Sequence, residues 1–221
     1  MEYSNNFFYI TEKLKTFLTK KNLPGEKAQY LMAPPRRIEE LKQHFNHKEK
    51  PRESAVTLVL KENQNKQISI VLIERSSYKG VHSAQIAFPG GQRDPDDINL
   101  KETALREAFE EIGIEKKLFH VIGELSPLYV PPSNFMMYPF IAYIKNQEIY
   151  HADTREVKQI MDIPLEELFS QQNKKLIEIK TSYGAFKDTP IYSYNNKVIW
   201  GATAMILSEF EQIVKTIIKI N

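Results

Sequence analysis

Apolar residues at Phe7, Ile10, Leu14, Phe17 and Leu18 recur at helical spacing, and Asn5 and Asn6 stand before them as caps. The pattern predicts a first helix that ends at Pro24 and Gly25. Shorter helices are predicted over 26–32 and 37–45, on either side of Pro34 and Pro35. The polar, proline-containing segment HFNHKEKPRE (44–53) reads as a boundary. Residues 1–50 are therefore expected to form a helical N-terminal extension, and residues 51–221 the main domain.

Beyond that boundary the texture changes to strands. Residues 55–60 (AVTLVL) and 67–74 (QISIVLIE) are rich in β-branched side chains and flank a polar turn, which predicts a hairpin. A short strand over 85–88, a loop PGGQRDPDD and a helix over 100–112 follow. Further strands are predicted over 118–129, 136–145 and 157–162, then a short helix from Pro164. Strands over 176–181, 191–194 and 197–199 come next, the last two joined by Asn195 and Asn196. An amphipathic helix over 202–218 ends the pattern, with Ile206, Phe210, Ile213 and Ile217 on one face. Strands with interspersed helices, without strict alternation, predict an α/β or α+β layer structure with a mixed sheet.

Composition narrows the function. A chain of 221 residues with 42% hydrophobic and 26% charged residues can fill one core, so bulk disorder is excluded. The net charge of +2 gives no reason to expect a nucleic-acid partner. With no cysteine there is no disulfide, thiolate metal site or cysteine nucleophile, which fits a reducing compartment. The N-terminus lacks a secretory apolar run, and the longest apolar stretches, 68–73 and 136–144, are strand-sized. The expectation is a cytoplasmic protein without a membrane partner. Glycine is scarce: there are 8, where average usage of roughly 7% would give about 15. Adjacent Gly90 and Gly91 therefore stand out.

The helix over 100–112 is not designed for stability alone. Asn99 and Glu102 make a good start, and Ala104, Leu105, Ala108, Phe109 and Ile112 supply an apolar face. On the opposite face Glu107, Glu110 and Glu111 repel one another near a helix C-terminus, each conflict costing about 0.3–1 kcal/mol. Such clustering suits a hard divalent cation, although periodicity alone fits a solvated acidic face equally well. Gly90 and Gly91, just before it, allow the backbone to approach a metal or ligand closely.

With these residues in view, the chain resembles the Nudix hydrolases. Their signature joins a glycine and a glutamate to Arg-Glu-apolar-any-Glu-Glu-any-Gly-apolar. Arg106, Glu107, Ala108, Glu110, Glu111, Gly113 and Ile114 match the second half at every fixed position. In the first half, counted from Gly91, the acidic position falls on Asp97, and one extra residue separates it from Arg106. The segment VLIERSSYKGVHSAQIAFPGG is similar to the coenzyme A diphosphatase branch in Arg75, Ser76 and Phe88 to Gly91. Ile73, Gly80 and Ala84 stand where that branch carries Thr, Arg and Gly.

The resemblance implies an α/β/α sandwich around a mixed sheet and hydrolysis of a nucleoside diphosphate linkage. It implies that Glu107, Glu110 and Glu111 bind Mg²⁺ or Mn²⁺, with Arg106 orienting one of them. Glu156 is the candidate for an assisting carboxylate outside the signature, set against a plain surface residue. Arg75, His82, Gly90 and Gly91 are the candidates for substrate binding. Coenzyme A or a derivative, cleaved to 3′,5′-ADP and phosphopantetheine, is the leading substrate. ADP-ribose or a dinucleotide is the alternative, and a catalytically silent nucleotide-binding module is a third reading. The helical N-terminus is a candidate homodimer interface.

Overall fold

A computed structural model describes residues 7–20, 22–43, 50–76, 85–145, 149–181 and 184–219. Helix α1 (Phe7–Thr19) is followed by α2 (Glu26–Gln29), a 3-10 turn over Tyr30–Met32 and α3 (Pro35–Gln43). The strands begin with β1 (Arg52–Glu62) and β2 (Ile68–Arg75), paired antiparallel as a hairpin. Two short strands, β3 (Ile86–Ala87) and β4 (Gly90–Gln92), lead to helix α4 (Leu100–Ile112). Then come β5 (His120–Glu124), β6 (Leu128–Val130), β7 (Phe135–Tyr143), β8 (Val157–Pro164) and α5 (Leu165–Leu168). Strands β9 (Lys174–Thr181), β10 (Gly184–Tyr194) and β11 (Lys197–Ile199) precede the last helix, α6 (Gly201–Lys219).

The main sheet runs β3-β2-β1-β7-β5, with β4 also on β1, β6 on β7 and β8 on β2. Among the described residues only β1 and β7 pair in parallel, so the sheet is mixed. Strand alternation decides the layers. Val56, Leu58 and Leu60 of β1 join Ile206, Phe210 and Ile213 of α6 in one core. Val59, Val71 and Ile73 meet Leu105, Ala108 and Ile112 of α4 on the other face. The expected α/β/α sandwich is the observed one, and each fully buried Leu or Ile contributes about 1.5–3 kcal/mol. Among the described residues no helix is long and apolar enough to cross a membrane.

The N-terminal helices belong to the same core. Phe7, Ile10, Leu14 and Leu18 are buried in the α6 layer. Glu209 of α6, with no exposed surface, accepts from Gly25 N–H at 3.2 Å, Gln29 Nε2 at 2.9 Å and Ser126 Oγ at 2.7 Å. That buried carboxylate fastens the N-terminal segment to α6 and to the β5–β6 connection.

Three local expectations are corrected. The stretch 118–129 is two strands, because Leu125 N–H turns to the Pro139 carbonyl, Ser126 turns to Glu209, and Pro127 has no N–H to continue a ladder. The predicted loop after Pro89 contains β4, whose Gly90 and Gly91 pair with Val56 and Ala55. A second, three-stranded antiparallel sheet, β11-β10-β9, includes a far longer β10 than the pattern suggested.

Candidate active site

Helix α4 is fixed at both ends. Asn99 Oδ1 accepts the Glu102 N–H at 3.0 Å, and the helix ends at Gly113 with φ 74°. Thr57 Oγ1 donates to the Ala104 carbonyl at 3.0 Å, tying the helix to β1. The rotation this imposes aims Glu107 and Glu111 at β4.

Gly90 and Gly91 let β4 come close enough to meet them. At Gly90, φ is +153° and a Cβ would fall 2.4 Å from the Ala55 carbonyl oxygen. At Gly91 a Cβ would fall 2.4 Å from Glu107 Oε2, so the Glu107 carboxylate occupies the space a side chain would need. Gly90 N–H donates to Glu111 Oε2 at 2.8 Å. Glu111 is 1% exposed, and its other oxygen, Oε1, lies 3.2 Å from Arg75 Nη1 but makes no hydrogen bond. Burial pushes the Glu111 carboxyl up to about 7; Arg75 and the Gly90 N–H oppose the rise, and Glu107 and Glu156 add to it. Glu107 is raised too, first by burial, with Arg106 opposing and Glu110 and Glu156 reinforcing.

Arg106 organises the outer side of the cluster. Its Nη1 donates to Glu107 Oε1 at 2.8 Å and to Glu110 Oε2 at 3.1 Å. Its Nη2 donates to the Gln92 carbonyl at 3.2 Å. Nε and Nη2 grip both oxygens of Asp97, each at 3.0 Å. Asp97 is held in turn by the Asp94 N–H at 2.9 Å. These contacts, Arg106 foremost, hold the Asp97 carboxyl well below its ordinary range.

Glu156 is exposed, beyond the start of the site. Its carbonyl accepts the Ser76 N–H at 2.8 Å, which sets it beside the end of β2 and Arg75. Arg75 also donates to the Gly90 carbonyl at 3.4 Å. The structure thus brings Arg75, Gly90, Gly91, Arg106, Glu107, Glu110, Glu111 and Glu156 into one neighbourhood. His82 lies outside the described residues. Among the described residues no three acidic or histidine side chains stand ready as a metal cage, because Glu107 and Glu110 turn to Arg106 while Glu111 turns to Gly90.

A cavity of about 260 Å³ adjoins this cluster. Arg75, Gly90 and Gly91 border it at the cluster, and Tyr129, Phe135, Met137 and Trp200 line it further out. Trp200 faces both the cavity and the Phe186 ring, with centroids 5.8 Å apart. Arg37 was missed and, within a charged helical run, had no signal; Asp97 was visible as the acidic position of the signature's first half but was assigned no role in the site.

The site is thus a glycine-bent strand pressed on a glutamate-bearing helix beside a cavity. The NUDIX domain model matches residues 51–182, and the chain belongs to the Nudix hydrolase family, which generally uses divalent cations. It is similar to the uncharacterized Nudix hydrolase NudL of Yersinia enterocolitica, 35% identical over 144 residues, covering 65% of this chain and 73% of that protein. NudL of Yersinia pestis is 34% identical over the same length, covering 65% and 71%. In fold it is similar to a MutT/nudix family protein from Enterococcus faecalis, with a TM-score of 0.52, 18% identity and coverage of 92% of this chain and 74% of that one.

Proposed function

We propose that the protein cleaves the diphosphate linkage of coenzyme A or a derivative, giving 3′,5′-ADP and phosphopantetheine, with Mg²⁺ or Mn²⁺ as cation. The observation that carries the reading is Glu111, a buried carboxylate with one oxygen that accepts no hydrogen bond. Its charge is further penalised by Glu107 and Glu156. Arg75 offsets this only in part, and a hard divalent cation fits the remaining demand.

In this reading Glu107, Glu110 and Glu111 hold the cation, together with a carbonyl of Gly90 or Gly91. When bound, the cation neutralises the diphosphate and acidifies a water. Arg106 sets the orientation of Glu107 and Glu110 through the contacts described above. Arg75, His82, Gly90 and Gly91 bind the substrate, and Glu156 takes the proton of the attacking water. The reading treats 1–50 as a helical extension of a 51–221 hydrolase domain. Phe8 and Tyr9, 48% and 39% exposed on α1, are where a homodimer would form. A cytoplasmic setting belongs to the same reading, since the chain has no cysteine to oxidise.

ADP-ribose or a dinucleotide is the second reading, favoured by Gly80 and Ala84, which depart from the coenzyme A pattern. The third departure carries less weight, because Ile73 has no exposed surface and packs in the α4 core. A substrate panel with Mg²⁺ and with Mn²⁺, with products resolved by chromatography, tests the choice. Release of 3′,5′-ADP and phosphopantetheine from coenzyme A supports the first reading. Cleavage of ADP-ribose alone replaces it with the second, and no cleavage of any compound favours a silent binding module.

A further inference from the structure

The cavity beside the glutamates has an uneven charge. Among the described residues lining it, only two are charged, Arg75 and Arg37, and both are cationic. Arg37 comes from α3, far in sequence from the signature, yet it is only 9% exposed. Its Nε lies 3.2 Å from Glu40 Oε2. Its charge also reaches Tyr129, whose hydroxyl burial pushes up while Arg37 pulls it down.

Arg75 sits at the β4 end of the cavity, on the Gly90 carbonyl, and Arg37 at the end that carries Tyr129. β4, β1, β7 and β6 are successive neighbours in the sheet. Three spacings of about 4.8 Å therefore separate Gly91 from the strand that carries Tyr129, roughly 14 Å. That span is longer than a diphosphate alone and is on the scale of a nucleotide. Phe135 and Met137 of β7 lie between those strands, and Trp200 also lines the cavity; the two aromatic rings offer flat apolar faces suited to a base. The Arg37 end is rigid as well. Glu209 anchors Gly25 and Gln29, Ser208 Oγ donates to the Ala28 carbonyl at 2.7 Å, and Arg37 N–H donates to the Pro34 carbonyl at 2.8 Å.

We propose that Arg37 forms a second anion subsite, recognising a phosphate monoester that the substrate carries outside its scissile diphosphate. A planar guanidinium matches phosphate oxygens by paired hydrogen bonds, which a point charge does not. The inference rests on the reading that the substrate is a nucleotide cleaved at its diphosphate, and it deepens that reading by assigning the part that selects it. The N-terminal segment thereby becomes part of the substrate site.

Trp200, the chain's single tryptophan, borders the cavity and reports its occupancy. The full-length protein, free of metal, is titrated with 3′,5′-ADP and with 5′-AMP while its fluorescence is followed. Wild type is expected to bind 3′,5′-ADP at least about tenfold more tightly, the scale of one charge-assisted hydrogen-bonded pair. Arg37→Gln is expected to bring the two affinities together, and Arg37→Lys to keep part of the preference. Equal affinities in wild type, a full preference in Arg37→Gln, or binding of neither nucleotide overturns the subsite. If Arg37→Gln fails to fold, the ratio in Arg37→Lys decides: it must fall between one and the wild-type value. Coenzyme A turnover is measured separately. Its absence alongside an intact Arg37-dependent preference removes the substrate assignment and leaves the subsite standing.

Discussion

Arg106 and Asp97 form a two-bond clasp, Nε to Oδ1 and Nη2 to Oδ2, both at 3.0 Å, across the loop that leads into α4. The pair is largely shielded, with Asp97 7% and Arg106 22% exposed at the side chain. It closes the 92–99 loop against the helix and leaves Nη1 for Glu107 and Glu110. The extra residue in the signature is thus absorbed, because Asp97 still reaches Arg106.

That clasp sets an acid limit on stability. Asp97 has a depressed carboxyl pKa in the fold, so its contribution is complete above the unfolded value of about 3.9 and is lost as pH falls below it. Asp97→Asn is expected to cost about 2 kcal/mol at pH 7. The gap from wild type should narrow below about pH 4. Urea unfolding at pH 7 and at pH 3 checks both the cost and its direction.

Glu111 has the opposite sign. Its carboxyl is raised to about 7 in the fold, so its contribution is complete below the ordinary value of 4.5 and is lost as pH rises towards 7. In metal-free buffer at pH 8, Glu111→Gln should therefore melt no lower than wild type. Its turnover with Mn²⁺ should fall at least about a hundredfold. Thermal melts at pH 5 and pH 8, with and without Mn²⁺, separate the two effects: the cation should raise wild-type melting at pH 8 and do little at pH 5.

Arg75 lowers the cost of the Glu111 charge, since its Nη1 stands 3.2 Å from Oε1. Arg75→Gln removes that compensation, so the acidic limb of the pH–rate profile should move upward by about one unit. An unchanged limb would mean that Arg75 serves substrate binding alone.

The two glycines of β4 should respond differently to alanine. At Gly90 the new Cβ meets backbone at 2.4 Å with φ at +153°, so Gly90→Ala should destabilise by about 2 kcal/mol or more. At Gly91 it meets the movable end of Glu107. Gly91→Ala should therefore fold normally and lose most of its activity as the carboxylate is displaced. Paired unfolding curves and kcat measurements distinguish the two outcomes.

Much of this site was legible in the sequence because it is local. Glu107, Glu110 and Glu111 share one helix face by spacing alone, and Gly90 and Gly91 stood out in a glycine-poor chain. The Arg106–Asp97 clasp was half legible: the acidic position was visible, its reach across the helix cap was not. Strand β4 was hidden because glycines carry no strand signal, and only pairing with Ala55 and Val56 reveals it. In β10 the register slips between Phe186 and Thr189, where Asp188 has φ 48°, and that irregularity broke the alternation. The cavity was least legible. Arg37, the 129–137 hairpin and Trp200 are distant in the chain, and only the tertiary fold gathers them.

The most direct measurement is chromatography of coenzyme A incubated with wild type and with Glu111→Gln, each with Mn²⁺ and with a chelator. Metal-dependent hydrolysis through the α4 glutamates requires 3′,5′-ADP and phosphopantetheine from wild type with Mn²⁺ only. Product formation by Glu111→Gln at the wild-type rate, or by wild type in the chelator, would contradict it.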